Sequence, residues 1–138
     1  MKVLLDTNIY ISAFLFKGKP RSIIEDLSDG KFTAFISKHI LEELEATLIR
    51  PKFKLKANVV FHILQEIKDI TSIVINKPLK SYHDLRDRND FHILETAFSA
   101  KVDYLVTGDK DLLSLQGIDQ FKIISPDQFV SILSEHKP

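Results

Sequence analysis

Acids are the residues of this chain best placed to do chemistry. Asp6 ends the apolar run Val3, Leu4, Leu5, and Asp109 follows the run Tyr104, Leu105, Val106 after Thr107 and Gly108. Consecutive apolar residues without polar alternation predict strands covered on both faces. In open α/β sheets the ligand crevice lies beyond the carboxyl ends of the strands, so two parallel strands ending in acids hold both carboxylates on one edge. Asp90 opens a helix predicted over 90–100, and Ile93, Leu94, Ala97, Phe98 and Ala100 cluster around the direction in which it projects. A helix predicted over 38–49 has the stripe Ile40, Leu41, Leu44 and Leu48. At about 100° per residue, Glu43 sits beside that stripe next to Ile40, Glu45 flanks its other side and Glu42 points away. Geometry leaves Glu43 and Glu45 both open.

If these acids converge, each pair at about 5 Å repels by roughly 3 kcal/mol at an effective dielectric near 20, so a cation must sit among them. Oxygen ligands without Cys or a His pair at helical spacing select a hard ion, Mg²⁺ or Mn²⁺. Such an ion activates water near neutral pH and neutralises a phosphodiester in its transition state. Each acid also has a plainer role to weigh. Asp6 and Asp90 suit helix caps worth about 1 kcal/mol each, Glu43 suits a solvated flank, and Asp109 or Asp111 suits a turn. His39, His62, His83, His92 and His136 are scattered and expected at the surface, with His92 close to Asp90 in sequence.

The elements that must position these acids alternate along the chain. Helical spacing follows Asp6 at Ile9, Ala13, Phe14 and Phe16. Pro20 opens a second helix that Gly30 terminates. Residues 32–37 read as a second strand, with Ser37 placed to cap the next helix, which stops before Pro51. Another helix spans 57–69 and a third strand 72–76. Residues 77–89, holding Asp84, Asp87 and Arg88, form a long polar connection of the kind that often carries function. A fourth strand over 104–107, a short helical turn over 109–115, a fifth strand over 121–125 and a last helix from Pro126 complete the order. The pattern predicts a three-layer α/β/α domain around a mainly parallel five-stranded sheet, with 1–138 as a single unit.

Bulk properties narrow the classes further. The 19 Lys plus Arg balance 19 Asp plus Glu, so a strongly basic nucleic-acid binder is not indicated. Neutrality can hide segregation: Arg50, Lys52, Lys54 and Lys56 form one basic cluster, and Lys17, Lys19 and Arg21 another. Without cysteine, disulfides and thiolate metal sites are excluded. Three apolar residues before Asp6 are too few for a signal-peptide core, and no run reaches the roughly 18 apolar residues of a membrane span. The expectation is a cytoplasmic protein with no membrane segment.

Taken together, several motifs resemble the PIN-domain family of metal-dependent ribonucleases, especially the compact prokaryotic toxins (VapC-like) of toxin–antitoxin pairs. The carriers are Leu5-Asp6-Thr7-Asn8, Ser37 with Glu43, and Arg50-Pro51-Lys52-Phe53. They continue with Asp87-Arg88-Asn89-Asp90 and end with Thr107-Gly108-Asp109-Lys110-Asp111. The resemblance spans the chain and implies an acidic quartet of Asp6, Glu43, Asp90 and Asp109 as both catalytic residues and ligands of Mg²⁺ or Mn²⁺. It implies supporting roles for Asn8, Thr107, Asp87 and Asp111. Asn89 stands where similar sequences frequently carry another acid. The implied reaction is endonucleolytic hydrolysis of RNA by an activated water, leaving 5′-phosphate and 3′-hydroxyl ends. Arg50, Lys52 and Lys54 are candidates to hold flanking phosphates. A homodimer and a cognate antitoxin are the partners expected by similarity.

Other α/β readings fit less well. A phosphoacceptor receiver needs an Asp at the end of strand three, where Ile75-Asn76-Lys77 stands, and a haloacid dehalogenase phosphatase needs an acid where Asn8 stands. The alternative from another class is a PIN-type nucleic-acid or protein binding module with little turnover. Turnover should need the metal and all four acids, whereas binding by 50–56 should survive their removal and weaken with salt.

Overall fold

The structure, a computed structural model, describes residues 1–78 and 91–135. Strands β1 (Lys2–Leu5), β2 (Thr33–Ile36), β3 (Thr71–Ile73), β4 (Tyr104–Val106) and β5 (Lys122–Ile124) form a sheet in the order β3-β2-β1-β4-β5. Every pairing is parallel. Helices α1 (Thr7–Leu15), α2 (Lys19–Ser28), α3 (Lys38–Leu48), α4 (Ala57–Ile70), α5 (Phe91–Ala100), α6 (Lys110–Leu113) and α7 (Pro126–Glu135) flank it, with a 3₁₀ turn at Pro51–Phe53. The fold is therefore the expected three-layer α/β arrangement.

Its core follows from the apolar runs. Val3, Leu4 and Leu5 are completely buried in the central strand, which has covered faces on both sides. Ile40, Leu44 and Leu48 seat α3, and Ile93, Leu94, Ala97 and Ala100 seat α5. Around the sheet, α1 packs on α2 and α3, α2 on α7, α3 on α4, and α5 on β1. Gly30 closes α2 with φ at 79°, a left-handed conformation that glycine takes without a Cβ penalty.

Strand order decides where a site can form. From β1 the chain moves outward through β2 and β3, then returns to the other side of β1 for β4 and β5, so direction switches between β1 and β4. The carboxyl ends of these two strands diverge into a crevice there. Register brings their ends level: Leu5 is opposite Val106, and one residue further Asp6 N–H donates to the Val106 carbonyl at 3.0 Å.

One element is shorter than its sequence suggests. Apolarity predicts a strand over 72–76, but β3 ends at Ile73, after which Val74 N–H adds one bond to the Ile36 carbonyl at 2.9 Å. Beyond it the chain turns to α5. Asn76 Nδ2 donates to the His92 carbonyl at 3.2 Å, and Lys77 N–H donates to Ser99 Oγ at 2.7 Å. At the edge of the sheet, Ile75 is left 87 % exposed. No helix among the described residues is long and apolar enough to cross a membrane.

Candidate metal centre

At the switch point, Asp6 caps α1 from the end of β1. Its Oδ1 accepts from Thr7 N–H at 2.7 Å, and its Oδ2 accepts from the Thr107 hydroxyl at 2.7 Å. Thr107, fully buried at the end of β4, in turn accepts the Asp109 N–H at 3.0 Å through the same hydroxyl oxygen. That acceptor role commits the hydroxyl proton to Asp6. Asp109 caps α6, its Oδ1 accepting Asp111 N–H at 2.8 Å. Both acids are thus oriented by backbone N–H groups at helix starts, while lone pairs on each carboxylate remain uncommitted among the described contacts. Capping and ligation are compatible here.

A third acid arrives from α3. Ser37 Oγ accepts Ile40 N–H at 3.2 Å, fixing the start of this helix. With the Ile40 and Leu44 stripe buried, Glu43 is carried inward beside it; its side chain is 40 % exposed, yet Oε1 is wholly buried. Glu45 lies on the exposed flank. The Glu43 Oε1 lies 3.0 Å from His92 Nε2 on α5 and 3.6 Å from His39 Nε2 one turn back on α3. The two imidazoles stack, centroids 3.7 Å apart and planes 21° off parallel.

Electrostatics show what this cluster lacks. Burial pushes the Asp6 carboxyl above its ordinary value; the bonds from Thr107 and Thr7 pull it down, and the nearby Asp109 charge pushes it up again. Burial likewise raises Glu43, with His39 opposing, the Asp6 charge adding to the rise and the adjacent Thr7 hydroxyl opposing it. His92 is pushed down to about 4, first by burial and then by His39. It is therefore neutral at pH 7, and its short contact with Glu43 is no ion pair. Nor is it an aligned hydrogen bond: Glu43 Oε1, His92 Nδ1 and Thr7 Oγ1 are buried without hydrogen-bond partners among the described residues. The closeness of Thr7 Oγ1 to Glu43 shifts that carboxyl without meeting bond geometry. A buried carboxylate oxygen that accepts no hydrogen bond from any described residue, on an acid whose ionisation burial and the Asp6 charge oppose, fits a bound divalent cation. His39, Glu43 and His92 also present donor atoms all within 4.8 Å of one another, a group able to hold a metal.

The structure thus brings together Asp6, Glu43 and Asp109 with Thr107. Asp90 and Asp87 lie outside the described residues; α5 begins at the next residue, Phe91, and its first turn carries His92 to Glu43. Asn8 is exposed at the second position of α1. Asp111 contributes its backbone N–H to Asp109. Arg50, Lys52 and Lys54 are exposed beyond the far end of α3. At ~1.5 Å rise per residue, Arg50 stands about 10 Å along from Glu43. Lys52 Nζ rests 5.0 Å from the centre of the Phe53 ring.

Of the two histidines, only His92 departs from the expected surface position. His92 is no surface residue, its side chain being 14 % exposed, while His39 is 51 % exposed. The available signals were the four-residue spacing of His39 and Glu43, which puts them on one face, and the position of His92 two residues after Asp90.

Comparison with known proteins places this architecture. The PIN-domain family profile matches residues 2–111. The uncharacterized protein MJ1680 of Methanocaldococcus jannaschii is 29 % identical over 142 residues, covering 94 % of this chain and 90 % of that protein. The crystal structure of PAE2754 from Pyrobaculum aerophilum superposes with a TM-score of 0.59 over 99 % of this chain and 91 % of that one, at 16 % identity, a likeness of fold.

Proposed function

The chain belongs to the PIN-domain family, and on that basis we propose that it is a divalent-metal-dependent endoribonuclease. PIN domains are commonly metal-dependent nucleases, so the family supports nuclease chemistry and a nucleic-acid partner. The observation that carries the reading is the meeting of Asp6, Glu43 and Asp109 at the switch-point crevice, with Glu43 Oε1 buried and accepting no hydrogen bond from any described residue.

In this reading Asp6, Glu43, Asp90 and Asp109 hold one or two Mg²⁺ or Mn²⁺ ions. Bound there, such an ion supplies an activated water and neutralises charge on the scissile phosphate. The protein's own residues do the rest. Thr107 locks one oxygen of Asp6 and the Thr7 N–H the other, so the carboxylate does not swing between ligands. The Asp111 N–H does the same for Asp109. An ionised carboxylate of the cluster accepts the proton of the attacking water, the P–O3′ bond breaks, the departing O3′ takes a proton from solvent water, and the products carry a 5′-phosphate and a 3′-hydroxyl. Arg50, Lys52 and Lys54 hold the RNA backbone beyond the reacting phosphate.

The motif resemblance extends the proposal to a single cytoplasmic nuclease domain over 1–138, acting as a homodimeric toxin restrained by a cognate antitoxin. The test of the catalytic reading is cleavage of a mixed pool of end-labelled RNAs by wild type and Asp90→Asn, each with Mn²⁺ or EDTA. Cutting by wild type in metal alone, lost in the variant, supports it. Equal cutting by both sinks the site assignment. Binding without cutting by either folded protein favours a binding module.

A further inference from the structure

Glu43 faces two different sets of partners, and only one is acidic. On the sheet side it meets Asp6 and Thr7; on the helix side its buried Oε1 meets the Nε2 atoms of His39 and His92. We propose that His39, Glu43 and His92 form a separate site for a borderline transition-metal ion of the zinc class, built across α3 and α5. Because it shares Glu43 with the acidic centre, filling it withdraws that carboxylate. The binding site stands on the two helices alone; its effect on turnover rests on the nuclease reading above.

Donor chemistry is the first argument. Two imidazoles and a carboxylate are a zinc-type set, whereas an all-oxygen cluster suits Mg²⁺. Geometry is the second. Ligands at ~2.0–2.2 Å from one ion are separated by roughly 3.0–3.5 Å around a tetrahedral or octahedral centre. The edges from Glu43 Oε1 to His92 Nε2 and His39 Nε2 are 3.0 and 3.6 Å. All three donors lie within 4.8 Å. The two rings stack, and His39, half exposed, is the member with room to turn toward a shared ion.

Buried polarity and anchoring supply two more observations. Glu43 Oε1 is buried with an imidazole nitrogen 3.0 Å away, yet it accepts no hydrogen bond from any described residue. The backbone behind His92 is held fast: its carbonyl accepts from Asn76 Nδ2 at 3.2 Å and from Thr96 Oγ1 at 2.9 Å. Thr96 Oγ1 also lies 2.8 Å from Asn76 Oδ1, tying the exit of β3 to α5. Two of the three donors are therefore placed by buried structure before any ion binds, the preorganisation a metal site needs.

The test is calorimetric titration of the full chain with Zn²⁺ in millimolar Mg²⁺, read beside the imidazole ¹⁵N NMR signals. The proteins compared are wild type, His39→Gln, His92→Gln and the double variant Asp6→Asn with Asp109→Asn, each checked for native secondary structure. Wild type should take one Zn²⁺ per chain that excess Mg²⁺ does not displace, shifting two imidazoles. Either His variant should lose at least about tenfold in affinity, and the Asp double variant should stay within about threefold of wild type. Equal binding by both His variants, loss in the Asp double variant, or no binding by wild type overturns the site, whether or not the chain cuts RNA. With Mn²⁺-supported cleavage in hand, one equivalent of Zn²⁺ should suppress it; cleavage that persists overturns the competition for Glu43.

Discussion

Among single residues, Thr107 has the most to explain because one hydroxyl serves two acids. It donates to Asp6 and accepts from the Asp109 N–H, so Thr107→Val removes a donor from a part-buried carboxylate and an acceptor from a part-buried amide. The expected cost is about 2 kcal/mol of stability, the range for a hydrogen bond to a charged group, measurable by urea unfolding. Since this hydroxyl pulls the Asp6 carboxyl down, its loss should also move the acid limb of the cleavage pH profile upward. Asp6 itself has the opposite energetic sign in the metal-free protein. Its folded pKa is raised, so the folded state holds the proton longer than the unfolded chain, and stability falls as pH climbs from the ordinary value near 3.8 toward the raised one. Asp6→Asn, which can still cap α1, should therefore melt higher than wild type at pH 7 without metal and lose that advantage near pH 3. His92 works the other way. Its folded value of about 4 lies below the ordinary 6.5, so it favours folding increasingly as pH rises across that window.

Elements carry these residues, and their legibility in sequence varied for physical reasons. Helix starts were readable because Asp6 and Ser37 each combine a capping side chain with the onset of 3.6-residue periodicity, and both do cap. Ser37→Ala should accordingly cost about 1 kcal/mol, seen as a lower melting temperature. The end of β3 was not readable. Ile73 and Ile75 look like buried strand positions, but β3 is a sheet edge and the chain leaves it to bond α5 through Asn76. The stacked histidines were equally hidden, since His39 and His92 meet only because β2 and β4 flank β1 and set α3 and α5 around the same crevice. Glu43 and Glu45 could not be separated by helical geometry alone, and they occupy different environments, one against Asp6 and one in solvent. For the basic turn after α3, exchanging Arg50, Lys52 and Lys54 for Gln should weaken RNA binding and flatten its salt dependence by about 0.7 per lost phosphate contact. The rate of the bound complex should change little, because these side chains lie beyond the end of α3, about 10 Å or more along from Glu43.

At the scale of the whole molecule, the sheet is a device for bringing distant sequence to one edge. Asp6 and Asp109 are separated by more than a hundred residues, yet the β1–β4 pairing puts them on either side of one threonine. The cost is a cluster of part-buried acids in which burial and the Asp109 charge oppose ionisation of Asp6, and burial and the Asp6 charge oppose that of Glu43, and a cation binding there should return that energy as stability. At a hundredfold excess of ion over its dissociation constant, linkage predicts about 2.7 kcal/mol. The most direct test of the account is to count Mn²⁺ and cut RNA in the same samples, by electron paramagnetic resonance and single-turnover cleavage, for wild type and for Asp6→Asn with Asp109→Asn. Loss of the bound Mn²⁺ together with a fall in cleavage of at least about a hundredfold is the predicted result. Undiminished cleavage by a double variant that has lost its Mn²⁺, or undiminished Mn²⁺ binding by it, would contradict the claim that these carboxylates form the catalytic metal centre.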